Sequence, residues 1–263
     1  MNRALYVAKT GLEAQQFRLA AISNNLANAN TYAYKTGRAE FDDLLYQNVR
    51  QPGAQAGQDE ANTLPSGLQL GTGVKAIGVQ KIHTQGNLMV TDNQLDIAIE
   101  GKGFFQVLDQ EGNLTYTRDG SFQVNQNGDV VTSSGYLLEP NINIPQDVTD
   151  ISITRDGAVF VQQPGNVAQN QVGQIELSTF INPAGLESIG HNFYVETTAS
   201  GVPNVNNPQT AEAGGLTQGA LEASNVNTVE ELIGMIEAQR TYEMNSKAIS
   251  AADGMMQYLN NNT

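Results

Sequence analysis

The chain has 263 residues, enough for one large domain or two modest ones around a sizeable core. Its 27 acidic residues against 13 basic ones give a net charge of −14. That balance argues against nucleic acid and anionic membrane surfaces as partners, since both reward Lys and Arg. Without cysteine, disulfides and thiolate metal sites are excluded.

Copies of so acidic a chain repel one another at long range, so self-assembly must rest on close apolar contacts and is favoured by salt. In the first nine residues the apolar run ends at Lys9, too early for a signal-peptide core. No run approaches the length of a transmembrane helix. The expectation is a soluble protein which, if it leaves the cell, does so without a cleaved signal.

Residues 4–29 read as a helix whose apolar positions advance in alternating steps of three and four. Leu5, Ala8, Leu12, Leu19, Ile22, Leu26 and Ala29 occupy this seam, with Gln15 as its polar member. Gly11, inside it, costs ~1 kcal/mol relative to Ala and is read as an accommodation to packing. Asn28 to Asn30 close the helix. Thr31 to Tyr46 reads as an extended or short-helical connector. Residues 47–66, which include Gln51, Pro52, Gly53, Leu64 and Pro65, form a polar, unpatterned insertion. This insertion is either a flexible loop or an arm that becomes ordered against neighbouring subunits.

From Leu68 the pattern turns to period two, punctuated by Gly, Asn and Asp. Asp96–Glu100 and Gly103–Val107 are short strands joined through Gly101-Lys102, and eight further candidates follow up to Phe193–Glu196. Asp119-Gly120, Asn127-Gly128 and Asp156-Gly157 are hairpin signals. Many short strands at this spacing imply an antiparallel β domain, sandwich-like or barrel-like. Residues 198–219 read as a linker leading out of it.

A second helix is expected from 228 to 259. Thr228-Val229-Glu230-Glu231 has the form of a capping box. Met235, Ala238, Tyr242, Ile249, Ala252, Met256 and Leu259 repeat the three-four rhythm, broken by Asn245. Val229, Leu232, Ile233 and Ile236 form another stripe, on roughly the opposite side at ~100° per residue. At ~1.5 Å per residue the two helices would be ~40 and ~48 Å long. They are well matched to pair as a coiled coil, although packing of each on the central domain is an alternative. Isolated helices of this kind are marginal in water, so the termini would order on association.

The fold class is therefore α+β: terminal helices forming a coiled-coil core, with an inserted antiparallel all-β domain. Residues 1–30 carry the first helix, 31–67 the connector, 68–220 the β-rich domain and 221–263 the second helix.

Signals for catalysis are weak. His83 and His191 are the only histidines and sit in no metal-ligand or nucleophile-base pattern. Gly71-Thr72-Gly73 lacks the rest of a dinucleotide loop. Asp92, Asp96, Asp119, Asp129 and Asp156 stand where turns and strand ends want them, although a carboxylate pair for glycan cleavage is not excluded by sequence. No enzyme, cofactor or metal is expected.

Several motifs carry a resemblance. Ile22-Ser23-Asn24-Asn25-Leu26-Ala27-Asn28-Ala29-Asn30-Thr31 resembles the N-terminal signature of the bacterial flagellar rod and hook axial proteins. Leu95 to Val107, Tyr116 to Phe122 and Gly185 to Gly190 resemble their central domain. Leu221-Glu222-Ala223-Ser224-Asn225-Val226 and Ile236 to Glu243 resemble their C-terminal signature. The similarity spans essentially the whole chain. One departure is Ala33, where the family usually has Gly before an aromatic and Lys; here Tyr34-Lys35 follow. Within the family the length excludes the hook protein, and the insertion resembles the distal-rod type.

The resemblance implies a structural subunit of the flagellar drive shaft, exported through the flagellar type III apparatus. It would polymerise helically around a central channel and span the periplasm. Its implied partners are copies of itself, the proximal rod, the hook, and the ring proteins of the peptidoglycan layer and outer membrane. Another rod or hook subunit is the nearest alternative; a secreted β-rich binding module and a cell-wall glycosidase are more distant ones.

Overall fold

Two long helices at the chain ends bracket a series of short antiparallel strands, an α+β arrangement. The structure, a computed structural model, describes residues 3–51, 66–165, 169–210 and 212–261. The chain divides into two compact units. One comprises Met1–Ala27, Gly37–Gln80 and Asn227–Thr263; the other Asn28–Thr36 and Lys81–Val226.

In the first unit, α1 (Arg3–Ala27) and α2 (Thr228–Asn261) run antiparallel. Asn25 bonds Glu231, Ile22 lies against Gly234, Arg18 reaches Glu237, and Gly11 faces Asn245. Each step back along α1 is matched by a step forward along α2. Ala238 is fully buried and Ala252 nearly so. Together with the two glycines these small residues let the backbones approach, since helix separation is set by side-chain size at the contact. The strand Gly37–Asp43 pairs with Val74–Lys81 and packs on α1, with Phe17 edge-on to Phe41 at 6.3 Å. Gln47–Arg50 pairs with Leu68–Leu70. The stretch expected as an extended or short-helical connector is therefore strand from Gly37.

The start of α2 departs from the expected capping box. Asn227 is the cap: its Oδ1 accepts from Val229 N at 3.2 Å, and its carbonyl accepts from Glu231 N at 3.0 Å. The Glu231 carboxylate instead accepts from Asn25 Nδ2. A tertiary hydrogen bond to a buried amide has displaced a local one.

The second unit is built on a nine-stranded antiparallel sheet. Its central strand Phe104–Leu108 is flanked by Leu114–Thr117, Leu137–Glu139 and Leu177–Thr179. That strand is buried on both faces and is apolar at every position except Gln106. Phe105 and Val107 point into the main core with Phe122, Leu138, Ile142, Val161 and Leu177. Phe104 joins Tyr116, Leu186, Tyr194 and Phe180 on the other face. A three-stranded sheet of Asp150–Ile153, Ala158–Gln162 and Asn170–Gln174 completes the larger core.

Asn127-Gly128 and Asp156-Gly157 form the expected hairpins, joining Phe122–Val124 to Val130–Thr132 and Asp150–Ile153 to Ala158–Gln162. Both glycines have positive φ, at 90° and 87°. Asp119-Gly120 does not form a hairpin, because its flanking strands pair elsewhere. Gly120 is required instead by the backbone of Ile97, whose carbonyl occupies the place of a Cβ. The stretch read as a linker holds three strand segments in or beside it. Asn204–Asn206 joins the large sheet, Gly215–Gln218 pairs with Ile97–Glu100, and Ala220–Glu222 pairs with Leu88–Val90.

Candidate assembly surface

The buried residues of α1 are Thr10, Ala14, Ile22 and Asn25, of which Ile22 alone belongs to the expected seam. Ile22 is buried, while Leu5, Leu12, Leu19 and Leu26 are half-buried. On α2, Met235, Tyr242 and Ile249 are half-buried on the same side as Ala238 and Ala252. The seam fades toward the C-terminus: Met256 is exposed, and the Leu259 side chain lies outside the described residues. Of the insertion, Gln51 is exposed, whereas Pro52, Gly53, Leu64 and Pro65 lie outside the described residues.

The second stripe of α2 is different. Val229, Leu232, Ile233 and Ile236 are 63%, 47%, 55% and 50% exposed. Four apolar side chains on two turns, with water on them, form a patch of the kind that marks an interaction surface. One helix thus has a face packed inside the chain and a face that stays exposed among the described residues.

Motif residues whose roles sequence reasoning did not assign prove to be staples. Asn25 is buried. Its Oδ1 accepts from Gly37 N at 2.9 Å, and its Nδ2 donates to Gly37 O at 2.9 Å and to Glu231 Oε1 at 2.8 Å. In the second unit, Asn225 Oδ1 accepts from Thr36 N at 2.7 Å, and its amide donates to Ile82 O at 2.9 Å.

Glu222 is the centre of a buried ion cluster in that unit. Lys35 Nζ reaches its Oε1 at 2.6 Å, Gly86 N donates to the same oxygen at 2.8 Å, and Arg118 Nε reaches Oε2 at 2.8 Å. The three side chains are at most 5% exposed. Burial alone would raise the Glu222 carboxyl, but Arg118 and Lys35 outweigh it and hold the group below its usual value. Burial lowers Lys35, helped by Arg118 and opposed by Glu222. His83 packs edge-on against Phe104 and Tyr194. Burial and the charges of Lys35, Arg118 and Lys81 push it down to about 4. No local sequence signal marks this cluster, because Lys35, Arg118 and Glu222 stand in three separate motifs.

Ala33 takes φ +57 and is buried, a conformation that Gly adopts without strain. The asparagines and turn acids also have structural roles. Asp96 accepts from Thr91 Oγ1 and Asn93 Nδ2, and Asp129 is held by Asn125, Asn141 and Asn143. Among the described residues no His/Cys/Asp/Glu group is arranged to hold a metal ion.

An α+β chain whose ends pair with each other, and whose C-terminal helix carries an exposed apolar stripe, has the form of a structural subunit built to assemble. The comparisons with known proteins give that class its particulars. Residues 5–35 match the family described as "Flagella basal body rod protein". Residues 98–161 match "Flagellar hook protein FlgE/F/G D1 domain", and 217–262 match "Flagellar basal body rod FlgEFG protein C-terminal". The flagellar basal-body rod protein FlgG of Buchnera aphidicola from Acyrthosiphon pisum is 51% identical, over 98% of this chain and 99% of its own. The FlgG proteins of Caulobacter vibrioides and Bacillus subtilis are 48% and 37% identical, with at least 97% of each chain covered. The chain belongs to the flagellar basal-body rod protein family. It is a structural protein of the bacterial flagellum and not an enzyme.

Proposed function

We propose that the chain is a subunit of the distal rod, polymerising helically into the rigid shaft that carries torque from motor to hook. The observation that carries this reading is the exposed stripe Val229, Leu232, Ile233 and Ile236 on a helix whose other face is paired within the chain. A contact between unlike surfaces that does not close on itself generates an open helical filament. In this reading the paired helices are a coiled-coil core lining a central export channel. The strands form a sandwich-like outer layer, and the boundaries of the four segments fall near residues 30, 67 and 220.

The reading extends to partners by what a shaft must touch. It meets the proximal rod below, the hook above, and the ring proteins of the peptidoglycan layer and outer membrane at its sides. Its place is the periplasmic span of the basal body, reached through the type III apparatus without signal cleavage. Residues 47–66, including Gln51, Pro52, Gly53, Leu64 and Pro65, would pack between subunits and stiffen the shaft. Their deletion should yield a more flexible or curved polymer, and an equally straight polymer would remove that role.

Electron microscopy of the concentrated protein tests the main claim. Straight tubes are expected from the full chain, and none from a chain lacking residues 228–263. Tubes from the truncated chain, or none from the full one, would overturn it.

A further inference from the structure

In the second unit a cavity of about 260 Å³ opens beside the buried ion cluster. Lys35, Arg118 and His83 line it, Phe104 and Phe180 supply apolar wall, and the exposed pair Lys102 and Glu212 stands at its edge. Lys102 is already paired with Glu212 at 3.6 Å, both well exposed.

The charge of the wall does not balance. Lys35 and Arg118 share one buried carboxylate, Glu222, both of whose oxygens are engaged. Buried charges are ordinarily paired, because an uncompensated one is costly in a low dielectric. Donors also remain. Lys35 spends two of its three ammonium protons, on Glu222 and Thr84 O. Arg118 spends four of its five, on Glu222 and the carbonyls of Gly103, Ile99 and Gly101. His83 Nδ1 is buried without a hydrogen-bond partner among the described residues.

We propose that this cavity binds a carboxylate group, with Lys35, Arg118 and His83 as its donors. A single negative charge closes the balance of two cations against Glu222, whereas a phosphate dianion would leave an excess beside that carboxylate. The volume is several times that of a water molecule, about 30 Å³, and below that of a drug-sized pocket. It therefore suits a carboxylate on a short apolar stem lying against Phe104 and Phe180. Such a group is offered equally by a small free acid and by an Asp or Glu side chain of a second copy, since each copy carries 27 acidic residues. The inference stands on the second unit alone and does not depend on the rod reading.

The chain's two histidines make the test direct. His191 is exposed in a turn, and a His191→Asn variant leaves His83 as the remaining imidazole signal in an NMR spectrum of the full chain. Sodium acetate is titrated into dilute protein at about pH 5.5, where simple carboxylates are largely ionised, against sodium chloride at matched ionic strength. Lys35, Arg118, Lys81 and Glu222 are the charged groups acting on this ring. An added carboxylate opposes the first three, so the protonated fraction of His83 at that pH should rise about fivefold or more, saturably with acetate and not with chloride. If the site takes a side chain of another copy, the same resonance moves with protein concentration in the absence of acetate, and added acetate reverses that movement by competition. Movement in either arm supports the site and tells its source. A His83 signal indifferent to both, or equally sensitive to chloride, would overturn it.

Discussion

Gly11 and Asn245 face each other across the helix pair, so close that a Cβ on Gly11 would lie 3.1 Å from Asn245 Nδ2. The glycine in one helix and the polar break in the seam of the other are thus a single feature. Glycine gives up helix propensity, and the amide of a half-buried Asn takes the room.

Gly11→Ala should therefore change stability by less than about 1 kcal/mol, because gained propensity is set against crowding. Gly11→Leu should cost about 1–3 kcal/mol by forcing the helices apart. Urea unfolding of both variants checks this. Asn245→Ala should recover part of the Leu cost, a coupling that residues not in contact would lack.

Asn25→Ala should cost about 2–4 kcal/mol, since it strips partners from both the buried N–H and the carbonyl of Gly37. Asn25→Asp should restore the acceptor yet place a second carboxylate beside Glu231, so it should recover little. Chemical denaturation of the three proteins at one pH separates these outcomes.

Glu222→Gln should be among the most destabilising single changes, at about 3–5 kcal/mol, because it leaves Lys35 and Arg118 buried without a counter-charge. Exchange of Lys35 for Met should cost less, since Arg118 still pairs with Glu222. A larger loss from Lys35→Met than from Glu222→Gln would mean the cluster's charges are not arranged as described.

Stability should fall on mild acidification. His83 has a folded value of about 4 against 6.5 for the free side chain, so between these limits the unfolded chain binds the extra proton. The loss runs from pH 6.5 down to about 4 and amounts to roughly 2–3 kcal/mol. Glu222 has a lowered folded value, so its contribution is present above its unfolded value and is lost as pH falls through the folded one. His83→Gln should flatten the first interval and leave the second. Melting temperatures at pH 7, 5.5 and 4.5 for both proteins give the comparison.

What sequence shows of this fold depends on how locally each element is determined. Periodicity alone places α1 and α2, because Leu5 to Leu26 and Met235 to Ala252 repeat at the helical spacing. The hairpins at Asn127-Gly128 and Asp156-Gly157 are equally local. Gly37–Asp43, Gly215–Gln218 and Ala220–Glu222 are not. They are polar, glycine-led or only three residues long, and their pairing is with strands distant in the chain. Asp119-Gly120 carries a turn signal for a non-local reason, the nearby Ile97 carbonyl. The capping box at Thr228 fails in the same way, since Asn25 claims Glu231 from the other end of the chain. The Lys35–Glu222–Arg118 cluster joins three separated motifs and is visible only when folded.

In the proposed shaft α2 turns one face to its own chain and another to a neighbour. The most direct measurement is sedimentation velocity and electron microscopy of Leu232→Gln/Ile233→Gln beside the unaltered protein. Both side chains are about half exposed, so the monomer's melting temperature should stay within a few degrees. Polymer should disappear at concentrations where the unaltered protein forms it. Tubes of normal yield from the double variant would contradict the account.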